Sequence, residues 1–399
     1  MILCGCTGTT PAPKQEEIVI GVLIPLSGDW GSKGVIWNAS TTLAAEDVNR
    51  YLEQTGSNKR VRLIVEDTGT DPATALEKIK TLQQEGARIV VGPASSAEIN
   101  AVKEWADEHG ILVLGYASTA PSLAIENDNV YRLVPDDRRQ GDAMAGFMQK
   151  AGVSVVIPVY RNDTWGRELM AATRSGVETN GGIMKPGFAF EPGTRDFSRI
   201  SGSLDNEVAG AVRQYGNISV GVYAIGFDET VPLLAAAAGH PRLSSVRWFG
   251  SDGSVNSVSL VHNSTAAEFA GKTGFYSPAY GEGNHQGAAN QVEARIREKT
   301  GVEPDPYSLV AYDATEIATR ALLSSGDAPL EQRKNALTLT AEYYYGATGW
   351  TKLVSSGDRA FAVYNFRALQ DVNGTPEWVQ VARYEGDQGQ PGRFTEFSL

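Results

Sequence analysis

Between Arg88 and Thr119 the chain reads strand, loop, helix, strand, loop. The first strand is Ile89-Val90-Val91, the loop Gly92-Pro93-Ala94-Ser95-Ser96, the second strand Ile111-Leu112-Val113-Leu114, and the closing loop Gly115-Tyr116-Ala117-Ser118-Thr119. Short, wholly apolar strands separated by a helix belong to βαβ units, whose parallel sheet is buried on both faces. Each loop follows the carboxyl end of its strand and carries hydroxyls and free backbone N–H groups. Open α/β sheets bind small ligands at that place, and two such loops side by side can hold one carboxylate. The competing reading is local: Ser95 or Ser96 caps the helix, and Thr119 opens a turn before Pro121.

The same alternation runs through most of the chain. Ile18 to Ile24 is an unbroken apolar strand, Leu26 to Gly34 a loop, and a helix follows to about Tyr51. A strand at Val61–Val65 precedes Asp71-Pro72, a cap and first-turn proline that open a helix to Gln84. After a strand at Val130–Leu133, Pro135-Asp136-Asp137 marks the exit from the first domain, and a second series starts at once with the strand Val153–Tyr160. It continues with helices at Trp165–Glu178, Asp196–Val212 and Glu229–Ala238 and strands at Phe188–Phe190, Ile218–Ile225 and Val246–Phe249. Helices are expected at Gln286–Lys299, Leu309–Leu323 and Leu330–Leu339. Antiparallel strands at Arg359–Arg367 and Trp378–Tyr384 are joined by the hairpin signal Asp371-Val372-Asn373-Gly374.

Composition excludes several classes of function. The 399 residues suit two domains, and a formal charge of −12 disfavours nucleic acid and anionic membrane surfaces. Both cysteines, Cys4 and Cys6, lie in the first six residues, so the body holds no catalytic or metal-binding thiol. His109, His240, His262 and His285 are far apart and form no metal-ligand spacing; neither metal nor cofactor is expected. The chain lacks a GxGxxG after its first strand, a P-loop and a GxSxG elbow, which argues against an enzyme. It also lacks an apolar run of about 18 residues that could span a membrane. Leu3-Cys4-Gly5-Cys6 and the polar residues behind it resemble the end of a lipoprotein signal, with Cys6 as the lipid attachment. The basic and apolar regions of such a signal are absent, so the expectation is a signal cut short, set against a plain polar tail.

From Ile18 to about Tyr384 the chain resembles type I periplasmic solute-binding proteins of the leucine/isoleucine/valine-binding branch. The resemblance is carried by Pro25-Leu26-Ser27-Gly28 with Gly34 and Asp47-Val48-Asn49, by Glu66-Asp67 to Asp71-Pro72, and by Gly92-Pro93-Ala94-Ser95-Ser96. Further on it rests on Tyr160 to Trp165-Gly166, Gly250-Ser251-Asp252-Gly253, Tyr312-Asp313-Ala314 and Gly349-Trp350. Their order and spacing together are specific. The resemblance implies an α/β fold of two Rossmann-like lobes with mostly parallel sheets, joined by three crossover strands near Val134-Pro135, Ser277-Pro278 and Thr348-Gly349. Residues 1–17 would be the signal remnant and tether, 18–134 plus 278–348 one lobe, and 135–277 plus 349–399 the other.

It also implies an extracytoplasmic receptor, lipid-anchored, that closes on an amino-acid-like ligand and passes it to the permease of an ABC importer. The alternatives are a receptor for another small molecule (an amide, urea or a carboxylate) and a sensory ligand-binding protein. Carried over by position, Ser96 takes the ligand's α-carboxylate, Ala117 offers a carbonyl to its ammonium, and Thr119 offers a hydroxyl and N–H to the carboxylate. Trp165 covers the ligand and Asp252 pairs with the ammonium. Three positions stay open. Phe227 either replaces the aromatic that the family often has where this chain has Gly226, or packs; Trp30 either reaches the pocket or packs; Tyr307 either lies near the ligand side chain or belongs to the core.

Overall fold

The computed structural model describes residues 15–281, 286–386 and 392–398. The expectations for Cys4, Cys6 and His285 fall outside them. Chain order begins with β1 (Glu16–Ile24), α1 (Gly31–Gln54), β2 (Lys59–Asp67), α2 (Pro72–Gln84), β3 (Ile89–Val91), α3 (Ser96–His109), β4 (Leu112–Gly115) and β5 (Val130–Arg132). The five strands form one parallel sheet in the order β2-β1-β3-β4-β5. Asp71 accepts from the Thr74 N–H with Pro72 in the first turn, so α2 starts where the sequence places it. Ser95 and Glu98 form a reciprocal capping box at the start of α3. Capping therefore belongs to Ser95, and Ser96 is left to other work.

Next come α4 (Asp137–Lys150), β6 (Val155–Arg161), α5 (Thr164–Thr179), β7 (Ile183–Met184), β8 (Phe188–Phe190), α6 (Ser198–Tyr215), β9 (Val220–Ile225), α7 (Thr230–Ala238) and β10 (Arg247–Gly250). Their parallel sheet has the order β10-β9-β6-β7, with β8 also on β6. Here one expectation is corrected: the chain does not pass directly from Asp137 to the strand near Val153. Asp136 caps α4 through the Arg138 N–H, and Ala143, Met144, Phe147 and Met148 are buried along the helix. That three-and-four spacing is a helical face. A smaller correction concerns the first loop, which ends in a single 3-10 turn at Gly28–Trp30, so that α1 begins at Gly31 and not after Gly34.

The remainder comprises α8 (Val258–His262), α9 (Ser264–Thr273), β11 (Ser277–Tyr280), α10 (Gln286–Thr300), α11 (Pro306–Ser325), α12 (Leu330–Tyr343), β12 (Tyr345–Gly346), β13 (Gly349–Trp350), β14 (Ala362–Val372), β15 (Thr375–Gly386) and β16 (Arg393–Phe397). Helix α11 returns to the first sheet and packs against α1, β1 and β3, buried on nearly all sides. The antiparallel sheet β11-β14-β15-β16 packs instead on α4 and α9, where Phe147 stacks on Phe366 at 4.4 Å. The β14–β15 hairpin turns at Asn373-Gly374, both with positive φ, as its sequence signal requires. No helix among the described residues is long and apolar enough to cross a membrane. The molecule is an α/β fold of two lobes, each built on a parallel sheet.

Both sheets reverse their strand order. The first does so between β1 and β3, the second between β6 and β9. Such a reversal leaves a crevice at the carboxyl ends of the strands, because successive connections leave in opposite directions. Near the backbone between the sheets, Arg359 donates to the Leu133 carbonyl at 3.3 Å and to Thr348 Oγ1 at 2.7 Å, and its guanidinium lies 5.6 Å from the Tyr280 ring. Beside it, Arg132 and Asp358 form a buried bidentate pair at 2.6 and 2.9 Å.

Candidate functional site

Six of the sequence-derived positions lie just beyond strand ends at these crevices. Trp30 follows β1, Ser96 follows β3, and Ala117 and Thr119 follow β4; Phe227 follows β9 and Asp252 follows β10. Trp165 lies in the first turn of α5 after β6, whose N-terminus is capped by Asp163, and Tyr307 in the first turn of α11. All eight are buried.

The aromatic positions meet across the crevice. Trp30 from the first lobe stacks on Phe227 from the second at 4.0 Å, and Trp165 stacks on Phe227 at 4.6 Å. Phe227 is thus held between two tryptophans. Gly253 makes room for this stack, since a Cβ there would lie 2.7 Å from Trp165 and 2.8 Å from Phe227. The loop carrying Asp252 can approach the aromatics only because residue 253 has no side chain.

A polar chain runs beside the stack. Tyr307 Oη donates to Asp252 Oδ2 at 2.5 Å, the Asp252 N–H donates to Gln140 Oε1 at 3.1 Å, and Gln140 Nε2 donates to Asp137 Oδ1 at 3.0 Å. Thr119 Oγ1 donates to Asp137 Oδ2 at 2.9 Å. Ser96 Oγ accepts from the Thr119 and Ala120 N–H groups at 3.3 and 3.2 Å and lies 3.0 Å from Ser118 Oγ. With both lone pairs so used, the Ser96 hydroxyl proton must itself be given to an acceptor, either Ser118 or a ligand. The structure thereby joins Ser96, Thr119, Asp252 and Tyr307 into one network. Ala117 is buried two residues before Thr119 in the same loop.

Burial pushes the Asp252 carboxyl above the usual aspartate range, offset in part by the Tyr307 hydroxyl, the Gln140 amide, the positive charge of Lys33 and the Gly253 N–H. Asp137 is pushed well above that range by burial and by the charge of Asp252. Two neighbouring buried carboxyls do not both ionise readily, so each raises the cost of charging the other. Asp252 Oδ1 is buried without a hydrogen-bond partner, as are Lys33 Nζ and Trp30 Nε1. Among the described residues these three atoms are one acceptor and two donors left without partners. The crevice is chemically suited to a small molecule bearing charges of both signs.

Contacts between the lobes surround the stack. Asp29, next to Trp30, pairs with Arg161 NH1 at 3.0 Å and with Arg195 NH2 at 3.3 Å. Arg161 also bonds Asp163 and the fully buried Glu229, and lies 4.6 Å from the centre of the Phe227 ring. Ser32 donates to Asp228 at 2.9 Å. Among the residues in these networks, Lys33, Asp137, Gln140 and Arg161 were not singled out from sequence. Lys33 and Asp137 lie in stretches that sequence reading did identify, but a lysine in a glycine-rich loop or a second aspartate after a cap carries no distinguishing pattern. Gln140 and Arg161 left no signal, because their roles depend on partners more than 60 residues away.

Comparison with known proteins agrees with the architecture. A family model described as periplasmic binding protein matches residues 17–370. The uncharacterised protein MJ1266 of Methanocaldococcus jannaschii is 30% identical over 395 residues, covering 93% of each chain. The branched-chain amino acid transporter substrate-binding protein LivJ of Streptococcus pneumoniae, solved with isoleucine, superposes with a TM-score of 0.74 at 19% identity, covering 92% of this chain and 100% of that one. A solute-binding protein of an ABC transporter from Rhodopseudomonas palustris, solved with p-hydroxybenzoic acid, gives 0.75 at 14% identity, with 93% and 98% covered. Two lobes with facing crevices, matched along nearly their whole length, make this chain a member of the periplasmic binding protein family, type I.

Proposed function

We propose that the protein captures an amino acid, of the size of the branched-chain ones, between its two lobes and hands it to an ABC importer. Family membership implies a small-molecule ligand, a place outside the cytoplasm and a solute-binding role. The fold alone does not choose the ligand, because relatives of this architecture were solved with isoleucine and with p-hydroxybenzoic acid alike. The observation that carries the choice is Asp252, a buried carboxylate with one oxygen already bonded and the other free. An aromatic carboxylate has no cation to offer it, whereas an α-ammonium completes it. In this reading Ser96 gives its hydroxyl proton to the α-carboxylate, Thr119, whose N–H and hydroxyl donate to Ser96 and Asp137, holds that serine in place, the Ala117 carbonyl shares the ammonium, and Trp30, Phe227, Trp165 and Tyr307 enclose the side chain. The lobes consist of residues 18–134 with 278–348 and of 135–277 with 349–399, and Cys6 is the lipid attachment.

The test is calorimetric titration of the wild type and Asp252→Asn with the proteinogenic amino acids, with 4-methylpentanoate and with 4-hydroxybenzoate. Asparagine keeps an acceptor for Tyr307 and removes the charge. Loss of one partner from a buried ion pair costs about 3 to 5 kcal/mol, so amino-acid affinity falls on the order of 10² to 10³-fold or more. Affinity for the two acids that lack an amino group changes far less. In the wild type, acidification protonates Asp252 and weakens binding, and the loss begins above the ordinary aspartate value of 3.8 because burial holds the group up. A best ligand without an amino group, or unchanged amino-acid binding in the variant, overturns the assignment.

A further inference from the structure

We propose that Lys33 receives a second, acidic group of the ligand, so that the receptor takes L-aspartate or L-glutamate in preference to L-leucine. This rests on the amino-acid reading above and specifies the ligand's side chain.

Lys33 lies in the first turn of α1, three residues after Trp30 and four before Trp37, and helical geometry puts these side chains on one side. Trp30 belongs to the crevice stack, and Trp37 meets Trp30 edge-on at 5.2 Å. Lys33 is only 5% exposed. Its sole ion partner among the described residues is Asp305, with Nζ 3.9 Å from Oδ2, beyond hydrogen-bond reach. Asp305 is already supplied with donors: Trp37 Nε1 reaches both of its oxygens at 3.1 and 3.2 Å, and the Ser308 N–H reaches Oδ1 at 2.9 Å. The lysine ammonium is therefore buried with none of its three N–H groups hydrogen-bonded.

Leaving a charged donor in that state is costly, and an acceptor brought by the ligand removes the cost. Asp305 leads into α11, where Tyr307, two residues on, donates to Asp252. The spare ammonium and the spare carboxylate oxygen come from different elements and are close enough for the lysine charge to act on the Asp252 carboxyl. A neutral amino acid would satisfy Asp252 and leave Lys33 as it is. Aspartate branches at the same carbon as leucine, with two oxygens in place of the terminal methyls, so it needs no more room than leucine and supplies the acceptors as well.

The experiment titrates wild type, Lys33→Met and Lys33→Arg with L-aspartate, L-glutamate and L-leucine, after thermal unfolding has shown each variant folded. Charge-assisted hydrogen bonds of this kind predict that wild type prefers an acidic amino acid to L-leucine by roughly 10- to 100-fold. Lys33→Met erases the preference, lowering affinity for the acidic amino acids far more than for L-leucine, and Lys33→Arg restores part of it. The wild-type comparison needs no variant, so a misfolded mutant leaves the proposal exposed to refutation. L-leucine bound as well as or better than the acids overturns the role of Lys33 while the amino-acid reading stands. An acidic preference that survives in Lys33→Met also overturns it. Binding of none of the three overturns this inference and removes the support for the amino-acid reading.

Discussion

Ser96 holds two neighbouring loops together: its oxygen accepts the N–H groups of Thr119 and Ala120 from the loop after the adjacent strand. That geometry changes what its mutation should do. Ser96→Ala leaves two buried N–H groups without their acceptor, so the free protein loses about 1 to 3 kcal/mol of stability. It also loses the one hydroxyl proton that a ligand carboxylate can take, which costs roughly 1.5 to 3 kcal/mol of binding. Ser95→Ala, by contrast, removes a cap and costs about 1 kcal/mol of stability with affinity intact. Chemical denaturation and titration of the two variants side by side separate these effects; equal behaviour of the two would show that Ser96 has no part in binding. Sequence placed both serines at the loop but left the cap undecided, because either register allows a serine before the helix. The structure assigns it through Glu98, three residues after Ser95.

At the scale of elements, the turn Gly28–Trp30 and the end of β6 form a clasp across the crevice. Asp29 reaches Arg161 and Arg195 while Trp30 covers Phe227. Arg161 keeps Glu229 and Asp163 when Asp29 is removed, so Asp29→Ala weakens closure without stranding a buried cation. Loss of a partly buried charge-assisted contact of about 1.5 kcal/mol should speed ligand release roughly tenfold. Stopped-flow tryptophan fluorescence reads this directly, since Trp30 and Trp165 both lie in the crevice; an unchanged release rate would mean that the clasp does not hold the closed state. Helix α4 shows where local reading stops. Its apolar face was present in Ala143, Met144, Phe147 and Met148, but the preceding Pro135-Asp136-Asp137 looks like a chain exit, and only packing against β14 shows what that face covers.

For the whole molecule, the stacked aromatics and the clasp describe lobes in contact, and a receptor that admits its ligand must part them. Small-angle scattering should give a smaller radius of gyration with saturating ligand than without. Ligand at about 100 times its dissociation constant should add about 2.7 kcal/mol to stability, read as a rise in melting temperature. Identical scattering curves in the two states would argue against hinge closure. The stretch around Arg359, which gathers Leu133, Thr348 and Tyr280, is where such a motion would pivot.

The sequence by itself determined the class of fold and the places where a ligand could sit. Apolar strands such as Ile18–Ile24 and Ile89–Val91, alternating with helices, fit a parallel sheet covered on both faces, and the loops after such strands are open at their carboxyl ends. Hydrophobic period and turn residues act over a few neighbours, so they can be read directly from the chain, and caps can be read to within a residue or two. Tertiary structure alone decided which side chains complete one another across the crevice. Asp252 meets Tyr307 over 55 residues and Arg161 meets Asp29 over 132, and Lys33 stops 3.9 Å short of Asp305, a partner 272 positions away that also accepts from Trp37 and Ser308. Whether a buried charge is satisfied or spare depends on every donor and acceptor packed around it, and those come from segments whose meeting no local pattern records.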